Sequence, residues 1–277
     1  NYTVIGDGSG ARVDTNNVHF LGHSLGAITG IEFMALTNTS IGNEIVDAMF
    51  NVKSNSLAMP GVMIGNFLME SGAFGDLIRA SLVYGSSAEF KAYVDSIFGG
   101  NHTEDQLVEV YLGFYASLEP AEQAALNGSF DQFTLIAQTV TGSGDPVNYT
   151  AALAASQTPT HLIEVVGTGV ECVNVVAPNN CSDQVIPNAI STSPLGGTEG
   201  AIALLGLPGV STTSQGSGAV RFINGHHGSI LSPSAQAGVS PDPVTSAMST
   251  QEMQGQVAGF FATMGQLIMV TNEDVVH

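Results

Sequence analysis

Val18-His19-Phe20-Leu21-Gly22-His23-Ser24-Leu25-Gly26-Ala27 joins a short β-prone run directly to a helical one, with a serine between two glycines at the joint. The run before the joint is apolar and aromatic, as a buried strand requires. The run after it, Leu25 to Thr37, places Ile28, Ile31 and Ala35 on one helical face. A serine held in a strained strand-to-helix turn needs residues without Cβ atoms two positions to either side, because side chains there would meet neighbouring backbone. Gly22 and Gly26 supply them. The start of the helix also brings the Leu25 N–H and the positive end of the helix dipole beside the serine oxygen, which makes Leu25 one candidate donor of an oxyanion hole. With 33 glycines in the chain the five-residue pattern alone is weak, and a plain glycine-rich turn is the competing reading. The strand before it and the helix after it favour an exposed, activated Ser24.

Working outward, a second apolar run spans Ala58 to Ile64, and Phe67 to Val140 reads mainly as helices. Among these are Ala88 to Phe98, Glu104 to Leu118 with Thr103 as N-cap, and Pro120 to Leu126, where proline opens the first turn. Strand patterns return at His161 to Val166 and at Ala219 to Ile223, each closed by glycine, and an amphipathic helix runs from Ser246 to Ile268. Strands separated by helical segments, too far apart for hairpins, predict an α/β fold: a mostly parallel sheet flanked by helices, with a helical excursion. No repeat and no linker-like tract divides the chain.

The 277 residues carry 5 Lys and Arg against 24 Asp and Glu, a formal charge of −19. Such a surface cannot neutralise a phosphate backbone, so nucleic acid is excluded as a partner and anionic membrane surfaces are poor ones. With 44% hydrophobic and 10% charged residues the chain is expected to be globular. Its longest apolar runs, such as Phe260 to Val270, are too short and too interrupted to cross a bilayer. Cys172 and Cys181, the only thiols, suit a disulfide formed in an oxidising compartment, with two independent buried thiols as the alternative. Two cysteines without a paired CxxC cannot build a structural zinc site, so no metal is expected. Asp7-Gly8-Ser9-Gly10 and Asp14-Thr15-Asn16 lack the spacing of a calcium loop and read as turns.

A serine nucleophile needs a histidine as base and a carboxylate to orient it, following here in the order serine, acid, histidine. Downstream of the His161 strand the first acids are Glu171 and Asp183; Asp145, ahead of that strand, is a reserve candidate. Asp183 stands two residues after Cys181, so a Cys172–Cys181 bridge would fix where its loop begins. His226 and His227, in the glycine-flanked loop after the Ala219 strand, compete for the role of base, because open α/β sheets place their sites at carboxyl ends of strands. His23, the variable position of the elbow, is not assigned a role.

Taken together, the chain resembles the α/β-hydrolases and, more narrowly, the bacterial extracellular lipases of the virulence-factor lipase family. The match rests on Val18 to Ala27, on Ala137-Gln138-Thr139-Val140 with Asp145 to Tyr149, on Asp183 to Asn188, and on Gly225-His226-His227-Gly228-Ser229. The resemblance implies Ser24 as nucleophile, Asp183 as acid, His227 as base, and residues 67–155 as a helical cap over an acyl pocket, although the apolar side chains there equally suit packing between helices. It implies no cofactor, a small-molecule or lipid acyl ester as substrate, and secretion to the bacterial exterior, cell surface or periplasm. In that fold several strands precede the elbow, one of them followed by the loop that donates the second oxyanion N–H. Ser24 stands near the start of this chain, so the expectation is that the N-terminal strands are absent from it and that another polypeptide, the amino-terminal part of the same protein as a separate chain, completes the sheet. Acyl transfer with the same triad, and a catalytically silent piece that binds or braces, are the rival expectations.

Overall fold

The computed structural model describes residues 14–277, so Asp7 to Gly10 lie outside the described residues. The chain builds a four-stranded parallel sheet in the order β1-β2-β3-β5, from β1 (His19–His23), β2 (Ser54–Ala58), β3 (Thr160–Val165) and β5 (Gly218–Phe222). A small antiparallel pair, β4 (Ser214–Gln215) with β6 (Leu267–Ile268), lies apart from it. Alternation along the strands sends successive residues to opposite faces. Ala58, Ile163, Val220 and Phe222 pack beneath α10 (Pro243–Ala262), with Met253, Val257 and Phe260. Leu57, Leu162 and Ala219 face the other way, onto α1 (Leu25–Thr37), α8 (Thr150–Ala155) and α9 (Gly197–Leu205). The result is helix, parallel sheet, helix, as the alternating pattern predicts.

The sheet's second strand differs from the sequence reading. It is Ser54–Ala58 rather than the apolar run from Ala58 to Ile64, and its first three residues are polar yet fully buried. Each makes a side-chain bond to a neighbouring strand: Ser54 Oγ meets His19 Nδ1 at 2.8 Å, Asn55 Nδ2 donates to Thr160 Oγ1 at 3.0 Å, and Ser56 Oγ meets His161 Nδ1 at 3.0 Å, while Asn55 Oδ1 has no partner among the described residues. The residues that follow bend sharply, with Met59 at φ 50° and Met63 at φ 61°.

Between β2 and β3 the chain runs through α3 (Ile64–Glu70), α4 (Gly75–Ser86), α5 (Ala88–Phe98), α6 (Glu104–Ser117), α7 (Pro120–Thr141) and α8. Thr103 caps α6 in a reciprocal box with Gln106. α7 does not stop at Leu126 but runs on to Thr141, 22 residues in all. The apolar side chains of this block pack mostly on one another: Phe90 and Tyr111 are buried, with Ile78, Leu82, Phe98 and Phe114 against them, while Phe74 and Phe133 remain exposed. At the other end, α10 stops at Ala262 and does not reach Ile268, because Met264 and Gly265 take positive φ and turn the chain into β6. Among the described residues no helix is long and apolar enough to cross a membrane.

Candidate functional site

All four sheet strands are parallel, so their carboxyl ends share one edge. β1 ends there at Ser24, β3 at the chain leading to Asp183, and β5 at the loop carrying His226 and His227. Ser24 has φ 54° and ψ −123°, a conformation that L-residues avoid at a cost of about 1–3 kcal/mol. Its N–H donates to the Ala58 carbonyl at 2.9 Å, and its own carbonyl accepts from Ala27 and Ile28 at 2.8 and 2.9 Å, so backbone bonds on both sides hold the strained turn. A Cβ at Gly22 would come within 2.4 Å of the Gly26 oxygen, which explains that glycine. The steric argument fails at Gly26, where a Cβ would meet nothing within 4 Å, because that side of the turn is open. Leu25 is the first residue of α1, so its N–H has no partner inside the helix.

Asp183 and His227 meet. His227 Nδ1 lies 2.7 Å from Asp183 Oδ2, while Asp183 Oδ1 accepts the backbone N–H groups of Val185 and Ile186 at 2.8 and 3.2 Å. The carboxylate is buried and fully engaged, which fixes the imidazole with Nδ1–H toward the acid and the lone pair on Nε2. That Nε2 is itself buried and has no hydrogen-bond partner among the described residues. Ser24 and His227 make no hydrogen bond to one another.

His226 is turned elsewhere. Its Nε2 reaches the Ser234 carbonyl at 2.9 Å and its Nδ1 accepts the Gly228 N–H at 3.0 Å, so both ring nitrogens are spent on local structure. Asp145 is also structural: it is fully buried and its carboxylate accepts from the N–H groups of Met63 and Ile64 at the start of α3, from Val147 N–H and from Gln138. His161, buried between Ser56 and Gln256, has its pKa lowered to about 4 by burial and stays neutral. Asp14 closes a turn with Asn16 and Asn17.

The acid loop is pinned. Cys172 and Cys181 form a disulfide. Three bonds join Thr168 and Asn180, two to the Asn180 carbonyl at 2.9 Å and one from the Asn180 N–H at 3.1 Å, and Asp183 N–H donates to the Val165 carbonyl at the end of β3. Farther along, Asn188 Nδ2 bridges Glu164 Oε2 at 2.9 Å and the Val165 carbonyl at 3.0 Å. Glu164 is buried beside Arg221, which also pairs with Glu199. Burial, reinforced by the negative charge of Glu199, pushes the Glu164 carboxyl up to about 8, whereas Arg221 holds Glu199 below its usual range.

One residue of this site has no signal in the sequence beyond its place in the elbow. His23 Nε2 lies 2.7 Å from the His227 carbonyl, and the two rings stand 5.0 Å apart. Burial is the largest influence on His23 and lowers its pKa, the bond to the His227 carbonyl opposing it in part. Among the described residues no group of three or more His, Cys, Asp or Glu side chains converges to hold a metal ion. No family model, curated protein or solved structure matches the chain.

Proposed function

We propose that this protein is a secreted serine carboxylic-ester hydrolase of α/β-hydrolase architecture, acting on acyl esters of lipid type. The observation that carries the reading is the Asp183–His227 pair, with an unpartnered buried Nε2, at the same sheet edge as a serine in a strained strand-to-helix turn. In this mechanism Ser24 attacks the ester carbonyl while His227 takes its proton, and Asp183 keeps the tautomer and stabilises the imidazolium. His227 returns the proton to the leaving alcohol, and water then releases the acyl group by the same steps. The Leu25 N–H holds one side of the oxyanion; a donor of this kind is worth on the order of 10²- to 10³-fold in rate. The disulfide supports an oxidising compartment. The choice of a lipid substrate rests on the family resemblance, with support from Leu135, Ile136 and Val140, large side chains exposed along α7.

The outer edge of β1 extends the proposal to a partner. Among the described residues β1 pairs on one side only, with β2. Val18 and Leu21 of that region stay exposed, and an open apolar edge invites another strand. A strand from another polypeptide would complete the sheet and bring the second oxyanion donor; native mass measurement that finds the active protein as a single polypeptide with no associated chain overturns this. The enzymatic reading is tested by a fluorophosphonate probe. Labelling at Ser24, with both labelling and ester hydrolysis abolished in Ser24→Ala, is the expected result, and hydrolysis that survives in Ser24→Ala discards it.

A further inference from the structure

The strands that deliver the serine and the histidine stand at opposite ends of the sheet. With β2 and β3 between them and neighbouring strands about 4.8 Å apart, β1 and β5 are separated by roughly 14 Å. The loop after β5 therefore has to reach back across the carboxyl ends of two strands to bring His227 to the Ser24 turn. Asp183 anchors that loop from the β3 side. On the β1 side, the hydrogen bond among the described residues that joins residues 22–26 to residues 225–229 is the one between His23 Nε2 and the His227 carbonyl, 2.7 Å long.

We propose that His23 is a positioning residue for the base: it donates Nε2–H to the His227 carbonyl and so sets the place of the His227 ring relative to Ser24. The proposal rests on the assignment of Ser24, Asp183 and His227 made above. A carbonyl oxygen only accepts, so the bond requires the proton on His23 Nε2. The donor is well held, since His23 is the last residue of β1 and is registered opposite Ala58, the residue whose carbonyl holds the Ser24 N–H. The rings of His23 and His227 lean together with planes 48° apart, so a change at His23 reaches the base through both its backbone and its ring. The groups with charge or titrating protons that face His23 are His227 and, behind it, Asp183; burial keeps His23 neutral in their company at neutral pH.

The prediction separates geometry from mere packing. His23→Leu fills the space without a donor, whereas the side-chain amide of His23→Gln places an N–H at the reach of Nε2. In hydrolysis of a p-nitrophenyl ester and in fluorophosphonate labelling of the whole protein, His23→Leu is expected to lower kcat and the labelling rate on the order of tenfold with KM within about twofold, and His23→Gln to recover most of the loss. Full activity in His23→Leu, or no recovery in His23→Gln, overturns the role. Ring-nitrogen NMR reads the same bond without any turnover: wild-type His23 in the Nε2–H tautomer is expected, and a population in the Nδ1–H tautomer refutes the bond. A wild type that is not labelled at Ser24 but shows the Nε2–H tautomer would defeat the esterase reading and leave the His23–His227 contact standing.

Discussion

Val220 and Phe222 of β5 are fully buried beneath α10, whereas Val18 and Leu21, at the other end of the same parallel sheet, are 38% and 46% exposed. The outer side of β5 is occupied by the chain itself: Ile223 N–H donates to the Val275 carbonyl, His277 N–H to the Arg221 carbonyl, and Val210 N–H to the Ala219 carbonyl, all within 3.0 Å. β1 has no such cover among the described residues. Phe33 and Leu36 of α1 are exposed too, and α2 (Glu44–Phe50) buries none of its residues. Strand chemistry is alike at the two ends, so the difference teaches that cover comes from what the chain lays over an edge.

The sharpest way to break the comparison is to truncate one large side chain at each end. Phe260→Ala, inside the α10 face, should cost about 3–5 kcal/mol in urea unfolding. Leu36→Ala, on the open end, should stay within about 0.5 kcal/mol, and a loss of several kcal/mol there would show that the surface is covered in solution. Next in size is the pH dependence of the β3–β5 end. The folded protein holds the Glu164 proton up to about pH 8, whereas an unfolded carboxyl releases it near pH 4.3, so the folded state binds the extra proton between those values. Stability from this group is therefore fully present at low pH and falls as pH rises through that window, by up to about 1.4 kcal/mol per pH unit. Glu164→Gln should flatten that slope, as measured by unfolding at a series of pH values; an unchanged slope places its origin elsewhere. The smallest effect tests the open side of the serine turn. Gly26→Ala should stabilise by up to about 1 kcal/mol, because the helix gains and nothing lies within 4 Å of the new methyl group. A drop in melting temperature would reveal a neighbour on that face.

Much of this arrangement is legible in the residues, and the exceptions have physical causes. Leu25 to Thr37 and Ala88 to Phe98 appear in the structure with the bounds read from their periodicity. β2 carries no apolar periodicity: Asn55 and Ser56 are buried with partners on β3, more than a hundred residues away in sequence, and Ser54 with His19 on β1. Past its first turns α7 has no clean apolar stripe, because its face is divided between packing and exposure: Phe130 is buried while Leu135, Ile136 and Val140 are not. The apolar pattern of α10 runs on through Leu267 and Ile268, but positive φ at Met264 and Gly265 ends the helix before them. At the candidate site, turn chemistry singles out Ser24, while residue order leaves Glu171, Asp183 and Asp145 as candidate acids and the resemblance points to Asp183. Choosing between His226 and His227 from residues alone was not possible, since the difference lies in which ring faces a carboxylate 44 positions earlier. The His23 contact spans 204 positions and leaves no local pattern.

The backbone of Ser24 has one further consequence. At φ 54° and ψ −123° a glycine would sit without penalty, so folding alone would select glycine there. Serine leaves the folded protein in a permanently less relaxed resting state, a deficit that the hydroxyl must justify through something other than stability. Ser24→Gly should therefore raise the melting point of the chain while removing the one atom in the turn able to form an ester, setting thermal resistance and chemistry in direct opposition at a single position.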